Sequence, residues 1–228
     1  MVVCEPSGKL NSRKSKGYVR DVFQQNHMNN LQGNLGIGHV RYPTAGGIGK
    51  EFAQPMYVNT PYGISLAHNG NLTNSKKLAA ELFHAERRHI NTDSDSEVLL
   101  NIFALELSKQ EAVFPKPKDF FSAVEKTHLR INGAYAVVAL ITGYGILAFR
   151  DPLGIRPLSI GIRKGKNRNE YVVSSETALF SSTGFKFLRD VEPGEAVFID
   201  NAGKIFTQQC STSSQKRPCI FEYVYLAR

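Results

Sequence analysis

Three features of the 228-residue sequence predict an α+β fold built on antiparallel sheet. Segments whose apolar residues recur at helical spacing all lie before residue 132. After that the period changes to short apolar runs separated by tight Gly- and Asn-containing turns, the pattern of consecutive hairpins. Neither G-x-G-x-x-G nor G-x-x-x-x-G-K-[ST] occurs, so a nucleotide-binding βαβ fold is disfavoured.

Taken in chain order, residues up to 16 are polar and carry no clear period. Residues 35–42 (LGIGHVRY) and 64–68 (ISLAH) read as short buried strands, each ending in a polar turn. Residues 74–87 place Leu78, Ala79, Leu82 and Phe83 on one helical face. Residues 94–109 give the clearest helix, with Ser94 and Glu97 spaced as a capping box. Its stripe is Val98, Leu99, Ile102, Phe103 and Leu107. Pro115 and Pro117 interrupt the chain before a third helix over 119–131. Residues 134–141 and 146–150 flank Thr142-Gly143-Tyr144-Gly145 as a hairpin. Further strands are predicted at 158–163, 171–175, 196–199 and 204–207, the last two joined by the turn at 201–203. The terminal CIFEYVYLAR reads as one more strand-like run.

Apolar residues at 42% and charged residues at 21% are ordinary globular usage, and the whole of 1–228 is expected to form one domain. No apolar run approaches membrane-spanning length, and the polar start is unlike a signal peptide, so a cytoplasmic location with no membrane partner is expected. Cys4, Cys210 and Cys219 are scattered and odd in number, which suggests neither a disulfide framework nor a metal site. The formal charge of +8 comes largely from two loop-like clusters, Lys9–Arg20 and Arg163–Arg168. No nucleic-acid-binding motif accompanies them, so no nucleic-acid partner is expected; anionic metabolites are.

Three polar islands sit at strand ends or helix starts. In the first, HVRYPTAG, Arg41 leaves a strand and can grip a carboxylate bidentately or tie down a neighbouring loop. In the second, AHNGN, Asn69-Gly70 is a turn signal, and an Asn side chain followed by a glycine N–H also makes an oxyanion hole. His68 beside it reads as a packed structural residue. In the third, TDSDSE, capping explains Ser94, Asp95 and Glu97, and Asp95 is also the carboxylate best placed to receive an ammonium. Together these groups describe a site for an amino acid with a reactive side-chain carbonyl, which glutamine satisfies.

The stretches GNLGIGHVRYPTAG, YGISLAHNGNLTN, TDSDSE, AFRDPLGIRPL, VVSSET, FLRDVEPGEA and CIFEYVYLAR closely resemble the glutaminase domain of the amidophosphoribosyltransferase family. HVRYPTAG, AHNG and SDSE resemble elements shared across the N-terminal-nucleophile (class II) glutamine amidotransferases. The resemblance implies a four-layer αββα sandwich of two antiparallel sheets between helices, missing its first strand and helix. It also implies roles: Arg41 for the glutamine α-carboxylate, Asp95 for its amine, and Asn69 with Gly70 as the oxyanion hole.

In that family a cysteine exposed by removal of the initiator methionine is the nucleophile, and its α-amine is the base. Met1-Val2-Val3-Cys4 resembles a later strand, so Cys4 is expected to be structural and the chain to lack the nucleophile. Cys219, alone, is likewise expected to be structural rather than a cluster ligand. A phosphoribosyltransferase domain with its phosphoribosyl pyrophosphate and Mg²⁺ would follow Arg228; no cofactor or metal is expected within this chain. The partners implied are L-glutamine, phosphoribosyl pyrophosphate through that domain, and further copies in a homo-oligomer. The alternatives are another class II amidotransferase or a non-catalytic binding module.

Overall fold

The computed structural model describes residues 1–41, 49–166, 168–212, 216–220 and 224. Three short strands and two short helices come first: β1 (Val2–Cys4), β2 (Leu10–Ser12), α1 (Val19–Val22), α2 (Gln25–Asn30) and β3 (Leu35–Ile37). A 3₁₀ turn at Lys50–Phe52 leads to β4 (Met56–Val58) and the long β5 (Ile64–Leu72). Three helices follow, α3 (Ser75–His84), α4 (Asp95–Ser108) and α5 (Pro117–Arg130). The remainder alternates β6 (Gly133–Ile141), β7 (Gly145–Arg150), β8 (Ser159–Lys164), β9 (Asn169–Ser174), α6 (Ala178–Ser182), β10 (Lys186–Asp190), β11 (Glu195–Asp200) and β12 (Ile205–Gln209).

The spine is a six-stranded antiparallel sheet in the order β12-β11-β7-β6-β5-β4. Strand alternation gives it two apolar faces. One face, with Leu66, Val137, Leu147 and Phe198, packs on α3, α4 and α5 through Leu82, Phe103, Phe120 and their neighbours. The other carries Ala136, Ala148 and Val197 against Leu158 and Ile160, and Leu140 against Val2, Cys4 and Ile37. Two three-stranded antiparallel sheets, β2-β1-β3 and β10-β8-β9, therefore cover that second face. On the outer side of the latter, α6 presses Phe180 onto Gly161, where a Cβ would meet the ring at 3.0 Å. Helices, central sheet, second sheet layer and an outer helix follow the expected αββα order, the second layer being two sheets among the described residues.

Several expectations are refined. The strand expected over 35–42 stops at Ile37, so Arg41 lies four residues beyond it. The strand expected over 64–68 continues to Leu72, which makes the Asn-Gly part of a strand and not a turn. The Ser94–Glu97 capping box does not form: Ser94 is the N-cap residue but makes no side-chain cap bond. Glu97 instead accepts from the N–H groups of Asn91 and Thr92 and from the Thr92 hydroxyl, tying the preceding loop to the first turn of α4. The hairpin at 133–150 forms in the expected place. Residues 42–48 and most of the terminal CIFEYVYLAR fall outside the described residues.

Candidate active site

The site is built on the end of β5 that runs past the short β4. β4 pairs with β5 at Ile64–Leu66, and beyond that point the Gln54 side chain takes over. Its amide accepts from the His68 N–H at 2.7 Å and donates to the His68 carbonyl at 3.3 Å. Four residues further on, the Asp95 carboxylate accepts from the Leu72 N–H through Oδ2 at 2.9 Å. His68 and Leu72 therefore point their N–H groups off the same edge, and alternation puts the Gly70 N–H between them.

The opposite side of the strand agrees. Gly70 pairs with Tyr135, whose carbonyl accepts from Asp151 N–H at 2.8 Å and so faces β7, away from β5. The Gly70–Tyr135 pair is thus of the non-hydrogen-bonded kind, leaving the Gly70 N–H directed at the open edge. Only glycine suits this position: φ is +147°, and a Cβ would lie 2.0 Å from the Ala134 carbonyl oxygen.

Even-numbered side chains of β5 point to the helices and odd-numbered ones to the second sheet layer. His68 accordingly lies buried against α4, with Nδ1 3.1 Å from the Ser96 hydroxyl and 3.9 Å from Asp95 Oδ1. Burial pushes the His68 pKa down, opposed by the Asp95 charge, so the imidazole is neutral. Asn69 points the other way, into the space between the layers. Its Oδ1 accepts from Arg156 Nη2 at 2.6 Å and its Nδ2 donates to the Ser175 hydroxyl at 3.3 Å. Asp95, on the first turn of α4, keeps a partly exposed carboxylate at this edge (side chain 22% exposed).

The structure therefore brings Asn69, Gly70 and Asp95 together. Arg41 stands on the segment leaving β3, its guanidinium over the Phe52 ring at 5.6 Å, two residues before Gln54. His39, next to it, is half-buried; burial first, then the neighbouring His68 and Arg41, hold its pKa down at about 4. Arg41 is thus linked to the same corner through Phe52 and His39.

Cys4 is set apart from this edge. It is a buried strand residue of β1, paired between Leu10 and Leu35, with its thiol 3.4 Å from the Glu5 carbonyl. Burial raises its pKa, the reverse of what a nucleophilic thiolate needs. Cys210 is also buried, its pKa pushed up to about 12, and Cys219 is a free, partly exposed thiol. Among the described residues no group of three or more His, Cys, Asp or Glu is placed to hold a metal ion. None of their helices is long and apolar enough to cross a membrane.

Reasoning from the sequence did not assign Gln54, Ser96, Arg156 or Ser175 to the site. The signal available for Arg156 was the polar Arg-Asp-Pro and Gly interrupting an apolar region after β7. For Ser175 it was the SSET cluster at the end of a strand.

A protein-family model described as glutamine amidotransferase domain matches residues 48–182, which include Asn69, Gly70, Asp95 and Arg156 but not Arg41. The chain is 54% identical over 228 residues to the amidophosphoribosyltransferase of Pseudomonas aeruginosa, covering all of this chain and 45% of that protein. It is 56% identical over 217 residues to the Escherichia coli amidophosphoribosyltransferase, covering 95% of this chain and 43% of that one. Among solved structures, the Bacillus subtilis glutamine phosphoribosylpyrophosphate amidotransferase complexed with ADP and GMP superposes with a TM-score of 0.81 at 30% identity. That match covers 100% of this chain and 46% of the solved one. The chain thus spans about half the length of the relatives it matches. With an antiparallel αββα frame, an Asn-Gly edge and a family match over more than half its length, the chain belongs to the glutamine amidotransferase domain family.

Proposed function

We propose that the open end of β5 binds L-glutamine, and that this chain is the glutamine-binding part of an amidophosphoribosyltransferase. The observation that carries the reading is the Gly70 N–H directed at the open edge of β5, with the Asn69 amide donor adjacent in the strand and the Asp95 carboxylate on the neighbouring Leu72 N–H. Asn69 and Gly70 would hold the side-chain carbonyl oxygen of glutamine and the negative charge that develops on it during attack. A single donor of this kind is worth about 10²–10³ in kcat. Asp95 would receive the ammonium, its Oδ1 being the oxygen not engaged with Leu72. Arg41 would grip the α-carboxylate.

In the relatives' reaction, as we read it, glutamine is hydrolysed to glutamate and ammonia, and the ammonia converts phosphoribosyl pyrophosphate to 5-phosphoribosylamine for purine synthesis. Phosphoribosyl pyrophosphate and Mg²⁺ would be held by portions of those proteins beyond the matched half. Within this chain Cys4 cannot start the hydrolysis, because its thiol is buried, its pKa is raised and its nitrogen is a strand amide. The 228-residue chain is therefore expected to bind glutamine without turning it over. Glutamate release at millimolar glutamine should stay at the blank level, and release abolished by Cys4→Ala would refute this.

Calorimetric titration tests the binding itself. L-Glutamine should bind, and D-glutamine and L-asparagine should bind far more weakly. A charge-assisted bidentate contact is worth roughly 1.5–3 kcal/mol, so Arg41→Ala should weaken L-glutamine about 10- to 100-fold. If Arg41 merely ties down loops, the melting temperature should drop and affinity in the folded fraction should not.

A further inference from the structure

We propose that Arg156 is a positioning residue for the oxyanion hole, fixing which end of the Asn69 amide faces the substrate. The inference rests on the glutamine-binding function proposed above. An amide side chain can flip, exchanging its carbonyl oxygen for its NH₂, and only one orientation presents a donor. A guanidinium has donors and no acceptor, so the Asn69 atom 2.6 Å from Arg156 Nη2 must be the carbonyl oxygen. The flipped state would set two donors face to face beside a positive charge. Nδ2 is thereby turned the other way, one of its hydrogens towards the Ser175 hydroxyl at 3.3 Å and the second left for the substrate oxygen.

The backbone that carries Arg156 is held from both sides by the two residues that end β7 and open the following loop. Asp151, fully buried, accepts through Oδ1 from the N–H groups of Leu153 and Ile155, and through Oδ2 from the N–H of Arg156 at 3.0 Å. Arg150, also buried, donates to the carbonyls of Gly154, Arg156 and Val191, at 2.9, 2.6 and 2.7 Å. One side chain thus secures the loop's N–H groups and its neighbour the carbonyls. Both grip main-chain atoms, so the loop does not depend on the identity of side chain 156. The guanidinium emerges from a fixed frame and meets an amide 87 residues earlier in the chain.

The test compares L-glutamine with L-norvaline, which has the same α-carboxylate and amine but no side-chain carbonyl, by calorimetric titration of the whole chain. Losing one oriented hydrogen bond should weaken L-glutamine about five- to tenfold in Arg156→Met. L-Norvaline should stay within about twofold, because nothing on it reaches Asn69. Arg156→Lys, which restores a cationic donor, should recover part of the loss. In an Asn69→Ala background, Arg156→Met should cost no further glutamine affinity. Equal loss of both ligands, or undiminished glutamine binding in Arg156→Met, would overturn the proposal while leaving the binding function intact. Absence of glutamine binding by the parent chain would overturn the function and the proposal with it. Should Arg156→Met fail to melt cooperatively, Asn69→Asp decides: it keeps an acceptor for Arg156 and removes the donor. Selective loss of glutamine affinity in that variant supports the proposal, and unchanged selectivity overturns it.

Discussion

Gly70 carries two demands at once. Its φ of +147° is open to glycine and strained for other residues, and its missing Cβ makes room for the Ala134 carbonyl. Gly70→Ala must either distort β5 or push β6 away, at the point where both hold the candidate site. The expected cost is roughly 3 kcal/mol, seen as a lower urea midpoint at unchanged m-value, together with loss of L-glutamine binding. Unchanged stability would mean that β5 can relax here without consequence. Gly143, by contrast, sits at a positive φ of 83° in the β6–β7 turn with nothing within 4 Å of a Cβ. Its replacement should strain the turn and leave the site alone.

The helix layer is the element on which the site leans, since α4 supplies both Asp95 and Ser96. Its far end is fixed by Glu106, whose side chain is 6% exposed and accepts from Arg130 Nη1 of α5 at 2.6 Å. Arg130 also pairs with Glu81 of α3, so one guanidinium joins three helices. Removing the buried carboxylate leaves Arg130 (18% exposed) short of a counter-charge in a poorly solvated place. Glu106→Ala should therefore cost about 3 kcal/mol. Lys109, which reaches the same carboxylate from solvent at 3.2 Å, is an ordinary surface partner, and Lys109→Ala should change stability by less than about 0.5 kcal/mol. Equal effects in chemical denaturation would show that Glu106 acts through packing and not charge.

For the molecule as a whole, three buried or half-buried imidazoles set the response to acid. Burial holds His128 and His39 down at about 4 and lowers His68 as well. His128 lies between α5 and the sheet with Nδ1 hydrogen-bonded to the Tyr135 hydroxyl at 2.7 Å, and its Nε2 has no partner among the described residues. In the unfolded chain these groups take protons near pH 6.5; in the folded chain they resist. The unfolded state thus binds more protons at these groups below pH 6.5, and their contribution to folding stability falls as pH drops from there to about 4 and is level above it. For His128 the slope is about 1.4 kcal/mol per pH unit. Denaturation series at pH 7.5, 6.5 and 5.5 should show this decline, and His128→Gln should flatten it. A decline of the same slope in that variant would place the proton elsewhere.

Local pattern by itself determined the α+β class, the three helices of one face, the 133–150 hairpin and the position of each polar island. These follow from periodicity, turn chemistry and where an apolar run ends, all readable within a dozen residues. It could not tell that Asn69-Gly70 continues a strand, because an Asn-Gly pair is a turn signal until a neighbouring strand, here β6, holds it extended. The Ser94–Glu97 spacing suggested a capping box, yet Glu97 found stronger company in the N–H groups of the incoming loop. The short strands β1 and β2 are too brief to show a period, and they become strands by pairing with each other and with β3 over the central sheet. The partners of Asn69 lie 87 and 106 residues away, at Arg156 and Ser175. Tertiary structure alone decided that pairing, since a hydrogen bond between distant segments leaves no spacing in the chain and exists only once the layers have packed.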